Sequence, residues 1–285
     1  MQAQLYVALL PVVILLLFIY KKDIEKEPRG TLIRVFVFGL LSAIPAVIFE
    51  VILDSLFVTS NLPSLWMTFL VVFTTIAIVE ELGKWLGAYI CTYRRKEFNH
   101  MYDGIVYCVF ASLGFAAIEN VLYIFKSGIG TGIVRALLAV PGHAVDGVFM
   151  GIFFSLSKRE LVNKNNGKSL LYLILSILVP AISHTIYDGL IFYNEFAQED
   201  KYLAYFLIFV ALTYIVSLIA INAISKIDKN FDGTLPQKQP FTPSKQPVQQ
   251  PQPTKTNVLP SQNQCFYCGA PVENGKCTLC GREKR

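Results

Sequence analysis

The chain has 285 residues, of which 54% are hydrophobic, and its mean hydropathy is +0.50. Such a composition excludes an ordinary soluble domain and indicates a polytopic membrane protein. The formal net charge of +5 comes from short basic clusters between apolar runs. That placement is typical of membrane-protein loops, so no nucleic-acid partner is expected.

The apolar runs predict about seven transmembrane helices. The first run, residues 5–20, is followed by Lys21 and Lys22. A signal peptide carries its positive charge before the apolar run, and no such charge precedes this one. The other predicted spans cover residues 31–58, 64–91, 104–126, 131–157, 169–194 and 202–226. The expected fold class is therefore an all-α polytopic membrane protein embedded in a lipid bilayer.

The loops predict the orientation of these spans. Lys and Arg cluster in the first, third and fifth loops, whereas the second, fourth and sixth loops carry few basic residues. Because basic loops favour the cytosolic side, this alternation predicts a cell-membrane protein with its N-terminus outside and its C-terminus in the cytosol.

The composition changes after the last predicted span. Residues 1–226 form the predicted membrane domain, and residues 227–263, rich in Pro and Gln, predict a disordered linker. Residues 264–285 carry two C-x-x-C pairs, each followed by glycine, which is the spacing of a small zinc ribbon. The expected ligands of its structural Zn²⁺ are Cys265, Cys268, Cys277 and Cys280. A cytosolic protein partner of this ribbon is a further expectation.

Two adjacent carboxylates and a lysine, Glu80, Glu81 and Lys84, interrupt the third predicted span. Ionisable groups persist in hydrocarbon when they are paired, face a cavity or serve a function. Glu80 and Lys84 are four residues apart and can pair on one helix face. Glu81 points about 100° away and is expected to face a neighbouring helix.

Three more polar clusters lie in later spans: Glu119 with Asn120, His143 with Asp146, and His184 with Asp188. The spacing of three or four residues allows each aspartate to orient its histidine. At about 1.5 Å per residue, all four clusters fall between the midplane and the outer leaflet, so we expect one shared site. Its five carboxylates outnumber its cations, which suits acid–base chemistry on water or binding of a cation.

Three motifs in this order resemble the PrsW family of intramembrane proteases, which is related to the CPBP group that includes the CAAX prenyl endopeptidases. The motifs are Glu80-Glu81-x-x-Lys84, Phe115-x-x-x-Glu119 and His184-x-x-x-Asp188, and Asp23-x-x-x-Glu27-Pro28 resembles the family's juxtamembrane signature. The resemblance implies that a glutamate activates water for attack on a peptide bond. It also implies a membrane-anchored protein substrate, such as an anti-sigma factor.

On this hypothesis either Glu80 or Glu81 is the general base, and Glu81 is favoured because Lys84 neutralises Glu80. His184 stabilises the oxyanion or relays the proton, and Asp188 orients it. Glu119 with Asn120 shares a proton or holds the water, while His143 and Asp146 are second candidates for that role. No catalytic metal is expected.

Other interpretations stay open. In a metalloprotease, His143, His184 and carboxylates from separate helices would hold zinc. In a proton-coupled transporter or sensor, the same buried carboxylates would carry protons. In a catalytically inert scaffold, partners would be recruited through the ribbon. Each polar cluster also has a structural alternative, as an ion pair, a hydrogen bond between helices or the border of a cavity.

Overall fold

The computed structural model of the protein describes residues 2–56, 64–228, 230–231, 272–273 and 276–277. These residues belong to two units, Met1–Lys238 and Gln239–Arg285. In the described part of the first unit the chain is helical. Its helices are α1 (Gln2–Lys22), α2 (Arg29–Leu56), α3 (Leu65–Val72), α4 (Ile78–Thr92), α5 (Met101–Leu137), α6 (Ala139–Val162), α7 (Asn166–Ala197) and α8 (Asp200–Ile227).

Six helical segments of the described chain are long and apolar enough, by length and composition, to cross a membrane. They are Gln2–Lys22, Arg29–Ile52, Leu65–Thr92, Met101–Val162, Asn166–Ala197 and Asp200–Lys226. The fourth has 62 residues, whereas one crossing needs about 20. This segment must therefore contain more than one pass.

The long segment reverses direction at Gly128, where the backbone has φ 86° and ψ 176°. Glycine adopts this conformation readily because it has no Cβ. Beyond the turn the chain packs on itself, so closely that a Cβ on Gly132 would lie 2.2 Å from Ile124 Cγ1. The reversal agrees with the predicted boundary between the spans 104–126 and 131–157, and it gives seven passes. The all-α polytopic fold is confirmed.

The two legs of this hairpin touch through their backbones. A Cβ on Gly151 of α6 would lie 2.5 Å from Ile105 Cα of α5, and a Cβ on Gly147 would lie 2.8 Å from Val109 Cα. Small residues allow such an approach between helices in a membrane. The contact fixes the register of α6 on α5 and sets His143 opposite Glu119.

The loops predicted to be basic and cytosolic lie together at one end of the bundle. Lys22 at the end of α1 donates a 2.7 Å hydrogen bond to Asn222 of α8. Lys158 near the end of α6 donates a 2.6 Å bond to the carbonyl oxygen of Tyr93. Asn222 lies near the end of the last pass, so the chain leaves the bundle at the end where its first loop lies, as an odd number of passes requires.

The spanning helices present apolar side chains to the exterior, and the charged side chains of α4 are inside. Leu10, Ile14 and Leu17 of α1 are all more than half exposed, whereas Glu81 and Lys84 have no exposed surface. A soluble protein shows the opposite pattern. The apolar exterior fits contact with lipid chains.

In the second unit, β1 (Val272–Glu273) and β2 (Lys276–Cys277) form an antiparallel pair in which Val272 faces Cys277. Cys277 is one of the four predicted zinc ligands. Cys265, Cys268 and Cys280 lie outside the described residues, as does most of the predicted linker. The zinc ribbon and its domain boundaries therefore stay predictions.

Candidate active site

A π-helical turn, Phe73–Ala77, separates α3 from α4 and delivers two carboxylates to the bundle interior. Single π-helical turns occur frequently at functional sites, because the wider turn changes the direction of the side chains that follow. Glu80 and Glu81 lie in the first turn of α4, with exposed fractions of 4% and 0%.

Lys84 binds both glutamates. Its Nζ atom lies 3.0 Å from Glu80 Oε2 and 2.6 Å from Glu81 Oε1, and it lies 4.3 Å from the centre of the Phe115 ring. The expectation that Lys84 pairs with Glu80 alone is wrong. The long lysine side chain reaches residues three and four positions before it, which share one side of the helix.

His143 of α6 connects Lys84 to Glu119. Its Nδ1 accepts a hydrogen bond from Lys84 Nζ at 3.1 Å, and its Nε2 donates to Glu119 Oε2 at 2.7 Å. The expected partner, Asp146, instead interacts with Ser183 and lies near Glu81. Asp146 therefore belongs to the same buried cluster, although it does not orient His143 as predicted.

His184 of α7 completes the cluster. Its Nδ1 donates to Glu81 Oε1 at 2.9 Å, and its Nε2 lies 3.2 Å from Asp188 Oδ2. The spacing of four residues predicts this second contact. The two imidazole rings lie 5.6 Å apart, so α4, α6 and α7 each contribute to one compact group.

Arg135 is a site residue that the sequence analysis missed. Its Nη2 atom lies 2.8 Å from Glu119 Oε2, and its guanidinium stacks 3.9 Å from the centre of the Tyr123 ring. On a straight helix, 16 residues would separate Arg135 from Glu119 by about 24 Å. The reversal at Gly128 brings them together. An arginine within an apolar span is itself a signal of function or pairing, and it could have been noticed.

Two other side chains differ from the expectation. Asn120 points away from the cluster and donates a 3.0 Å hydrogen bond to the carbonyl oxygen of Ala8 in α1. It ties two helices together, which is the structural alternative considered for it. Glu50 of α2, which none of the sequence motifs includes, is an electrostatic neighbour of Glu80 and Glu119 at the edge of the site.

The cluster has the composition of a metal site. Glu80, Glu81, His143 and His184 each offer one ligand atom, and the four atoms lie within 4.8 Å of one another. Nitrogen and carboxylate ligands of this kind suit Zn²⁺ and related divalent ions. Among the described residues, none donates a hydrogen bond to the buried Glu81 Oε2.

The surroundings of both histidines fit the same interpretation. Each ring turns Nδ1 toward the cluster and Nε2 toward an outer carboxylate, Glu119 for His143 and Asp188 for His184. Histidines that bind metals almost always have such a partner on their second nitrogen. The residues therefore fit a divalent cation, in agreement with the metalloprotease alternative and against the expectation that no catalytic metal is needed.

Comparison with known proteins identifies relatives of most of the membrane domain. Residues 27–216 match the model of the PrsW family intramembrane metalloprotease. The protease PrsW of Geobacillus kaustophilus is 36% identical over 186 residues, which cover 65% of this chain and 78% of the relative. The protease PrsW of Bacillus subtilis is 35% identical over 179 residues, which cover 62% and 78%.

The protease PrsW of Oceanobacillus iheyensis is 36% identical over 178 residues, again 62% of this chain and 78% of the relative. No solved structure matches the chain significantly. The family match ends at residue 216, so it contains every residue of the buried cluster and excludes the cysteine-rich tail.

Proposed function

The chain belongs to the PrsW family of intramembrane proteases, and we propose that its catalytic centre is the buried cluster of Glu80, Glu81, His143 and His184. One observation carries this proposal: two imidazoles from different helices face the glutamate pair, and each is backed by a carboxylate. A purely structural ion pair does not require a carboxylate on the second nitrogen of each ring.

Three of these residues are the proposed ligands of a divalent cation. Glu81 has no exposed surface and offers Oε2, while His143 and His184 offer their Nδ1 atoms. A cation held there would supply Lewis acidity toward water and the scissile carbonyl group. Glu119 and Asp188 hold the two rings in the orientation that ligation requires.

Glu80 is then the general base. It contacts Lys84 at 3.0 Å and retains a small exposed surface, so it is the member of the pair that can receive a proton from water. Lys84 is the donor for the oxyanion, because its ammonium is buried and lies beside Glu80, Glu81 and His143. His184, assigned to the oxyanion from sequence, has its Nε2 held by Asp188 and its Nδ1 turned toward Glu81, where it would bind the cation instead.

The metal-free mechanism is the second candidate, and Lys84 favours it. Its Nζ atom lies within 2.6–3.1 Å of Glu80, Glu81 and His143, and it is thus the cation that balances this site. In that mechanism Glu81 is the base, with His184 beside it, as the sequence analysis predicts.

Metal analysis and cleavage assays separate the two mechanisms. The protein is purified with the tail cysteines changed to serine, so that any metal measured belongs to the membrane domain. In the metal-dependent mechanism Glu81→Gln and His184→Ala lose both metal and cleavage of a single-span substrate. Glu80→Gln keeps the metal and loses cleavage.

Glu199→Gln, a change at an acid whose side chain is 50% exposed, is the matched control and should alter neither property. Full cleavage by protein that mass spectrometry shows to be free of metal establishes the glutamate mechanism instead. Full cleavage by the Glu80→Gln/Glu81→Gln double variant contradicts both mechanisms.

The substrate and the tail complete the proposal. The substrate is a membrane-anchored protein, for which an anti-sigma factor is the proposed example, because the cluster lies inside helices that span the bilayer. The tail is proposed to bind Zn²⁺ through Cys265, Cys268, Cys277 and Cys280 and to recruit a cytosolic protein. The N-terminus is proposed to lie outside the cell.

A further inference from the structure

A second group of buried carboxylates lies at the basic end of the bundle, outside the active site. Asp23 follows α1, Asp103 lies in the first turn of α5, and Asp228 follows α8. Their exposed fractions are 3%, 0% and 2%, and one oxygen atom from each lies within 4.8 Å of the others. Three segments far apart in sequence thus place their negative charges together.

Each of the three carboxylates uses one oxygen to hold the backbone. Asp23 Oδ2 accepts a hydrogen bond from the N–H of Glu27 at 3.4 Å. Asp103 Oδ2 accepts from the N–H groups of Asn99 and His100, at 2.9 and 2.7 Å. Asp228 Oδ1 accepts from the N–H of Tyr102 at 2.9 Å. These bonds fix the position and direction of each side chain.

The second oxygen of each carboxylate accepts no hydrogen bond from the described residues, although it is buried. These atoms are Asp23 Oδ1, Asp103 Oδ1 and Asp228 Oδ2. Lys26 lies nearby, but its ammonium donates to the main-chain carbonyl groups of Tyr20 and Asp23. Buried carboxylate oxygens are costly unless a donor or a cation compensates them.

The neighbouring side chains supply too little positive charge to balance the three carboxylates. Glu27 is also buried, and it is an electrostatic neighbour of Asp23 and Asp103. Glu27 accepts a hydrogen bond from the hydroxyl of Tyr107. His100 offers little compensation, since its Nδ1 lies 2.8 Å from Asn99 Oδ1 and 3.9 Å from Asp103 Oδ2.

We propose that Asp23, Asp103 and Asp228 bind a hard divalent cation, of the Mg²⁺ or Ca²⁺ class, at a site separate from the active site. Three oxygen ligands from carboxylates suit these ions, whereas the histidines of the active site suit transition metals. The ion joins the loop after α1, the start of α5 and the end of α8, and so closes one end of the bundle.

Thermal unfolding of the full chain, first stripped of metal with a chelator, tests this site. Millimolar Mg²⁺ or Ca²⁺, added in separate titrations, should raise the melting temperature of the wild type and of Glu81→Gln. The Asp103→Asn/Asp228→Asn variant should not respond. Equilibrium dialysis with Mn²⁺ should show that this variant binds one ion fewer per chain than the wild type.

The asparagine side chains keep a carbonyl oxygen for the backbone N–H groups and remove the repulsion between the carboxylates. The metal-free variant should therefore melt at least as high as the metal-free wild type, which shows that it folds. Asp23→Asn is the independent second variant, and Glu25→Gln, a partly exposed acid of the same loop, is the matched control.

Comparison of Mg²⁺ with Ca²⁺ identifies the preferred ion. The proposal is overturned if the wild type and both aspartate variants respond equally to the two ions and bind the same number of Mn²⁺ ions. It is also overturned if the wild type gains no stability and binds no Mn²⁺ beyond the active-site ion.

Discussion

His143 donates a 2.7 Å hydrogen bond from Nε2 to Glu119, across a hairpin whose two legs are joined by the turn at Gly128. The contact leaves Nδ1 of the same ring facing Lys84 and the glutamate pair. An outer carboxylate thus decides which nitrogen of the ring faces the reaction centre, and this relationship makes Glu119 a positioning residue.

Replacement of the Glu119 carboxylate should lower the affinity of the site for metal without abolishing metal binding. Glu119→Gln keeps the size of the side chain and one acceptor oxygen but removes the charge that holds the imidazole. We expect metal affinity to fall about 10–100-fold and cleavage to fall with it. Titration of chelator-stripped protein with Zn²⁺ measures the first effect. Unchanged affinity would show that His143 does not bind the metal.

Arg135 should contribute to stability as well as to the position of Glu119. Arg135→Ala leaves a carboxylate that is only 14% exposed without its guanidinium partner, which costs up to about 3–5 kcal/mol of unfolding free energy. Arg159→Ala is the control, because this arginine is 39% exposed and such pairs contribute about 0–1 kcal/mol. Melting temperatures in detergent compare the two variants, and equal losses would contradict the assignment.

The contact between α5 and α6 should tolerate no added methyl group. A Cβ on Gly151 would lie 2.5 Å from a backbone atom of Ile105, so Gly151→Ala should cost about 1–3 kcal/mol and reduce cleavage by moving His143 from Glu119. At Gly130 a Cβ would have no neighbour within 4 Å among the described residues, and Gly130→Ala is the matched control. Similar melting and cleavage in both variants would argue against backbone contact here.

The orientation of the bundle can be tested with fusions. A reporter that is active only in the cytosol should give signal when fused after residue 228 and no signal when inserted at Gly128, since the basic loops favour the cytosolic side. Signal at Gly128 with none after residue 228 would reverse the predicted orientation. Signal from both positions would contradict the three passes that lie between Gly128 and residue 228.

The seven apolar passes were predictable because the bilayer imposes one length and one polarity on every span. The convergence of Glu80, Glu119, His143 and His184 was also predictable from their depth. Counting along separate helices at a fixed rise locates each side chain along the membrane normal without any knowledge of how the helices pack.

Pairing within the site was less predictable, because it depends on rotation and on contacts between helices. Glu81 was expected to lack a local partner, yet Lys84 binds it more closely than Glu80. Asn120 was placed beside Glu119, but one step along a helix turns a side chain by about 100° and directs it to α1. The partnership of Arg135 required the turn at Gly128, whose geometry depends on tertiary packing.

The hairpin that joins Glu119 to His143 also bears on when the site is assembled during synthesis of the chain. Chains are synthesised from the N-terminus, and a hairpin of neighbouring helices can form as soon as both legs are inserted. Lys84 can meet His143 at that stage, but Glu81 still lacks His184, which lies on a later pass. If the proposed site is the catalytic centre, a nascent chain stays incomplete as a protease until α7 enters the bilayer, after most of the membrane domain has been made.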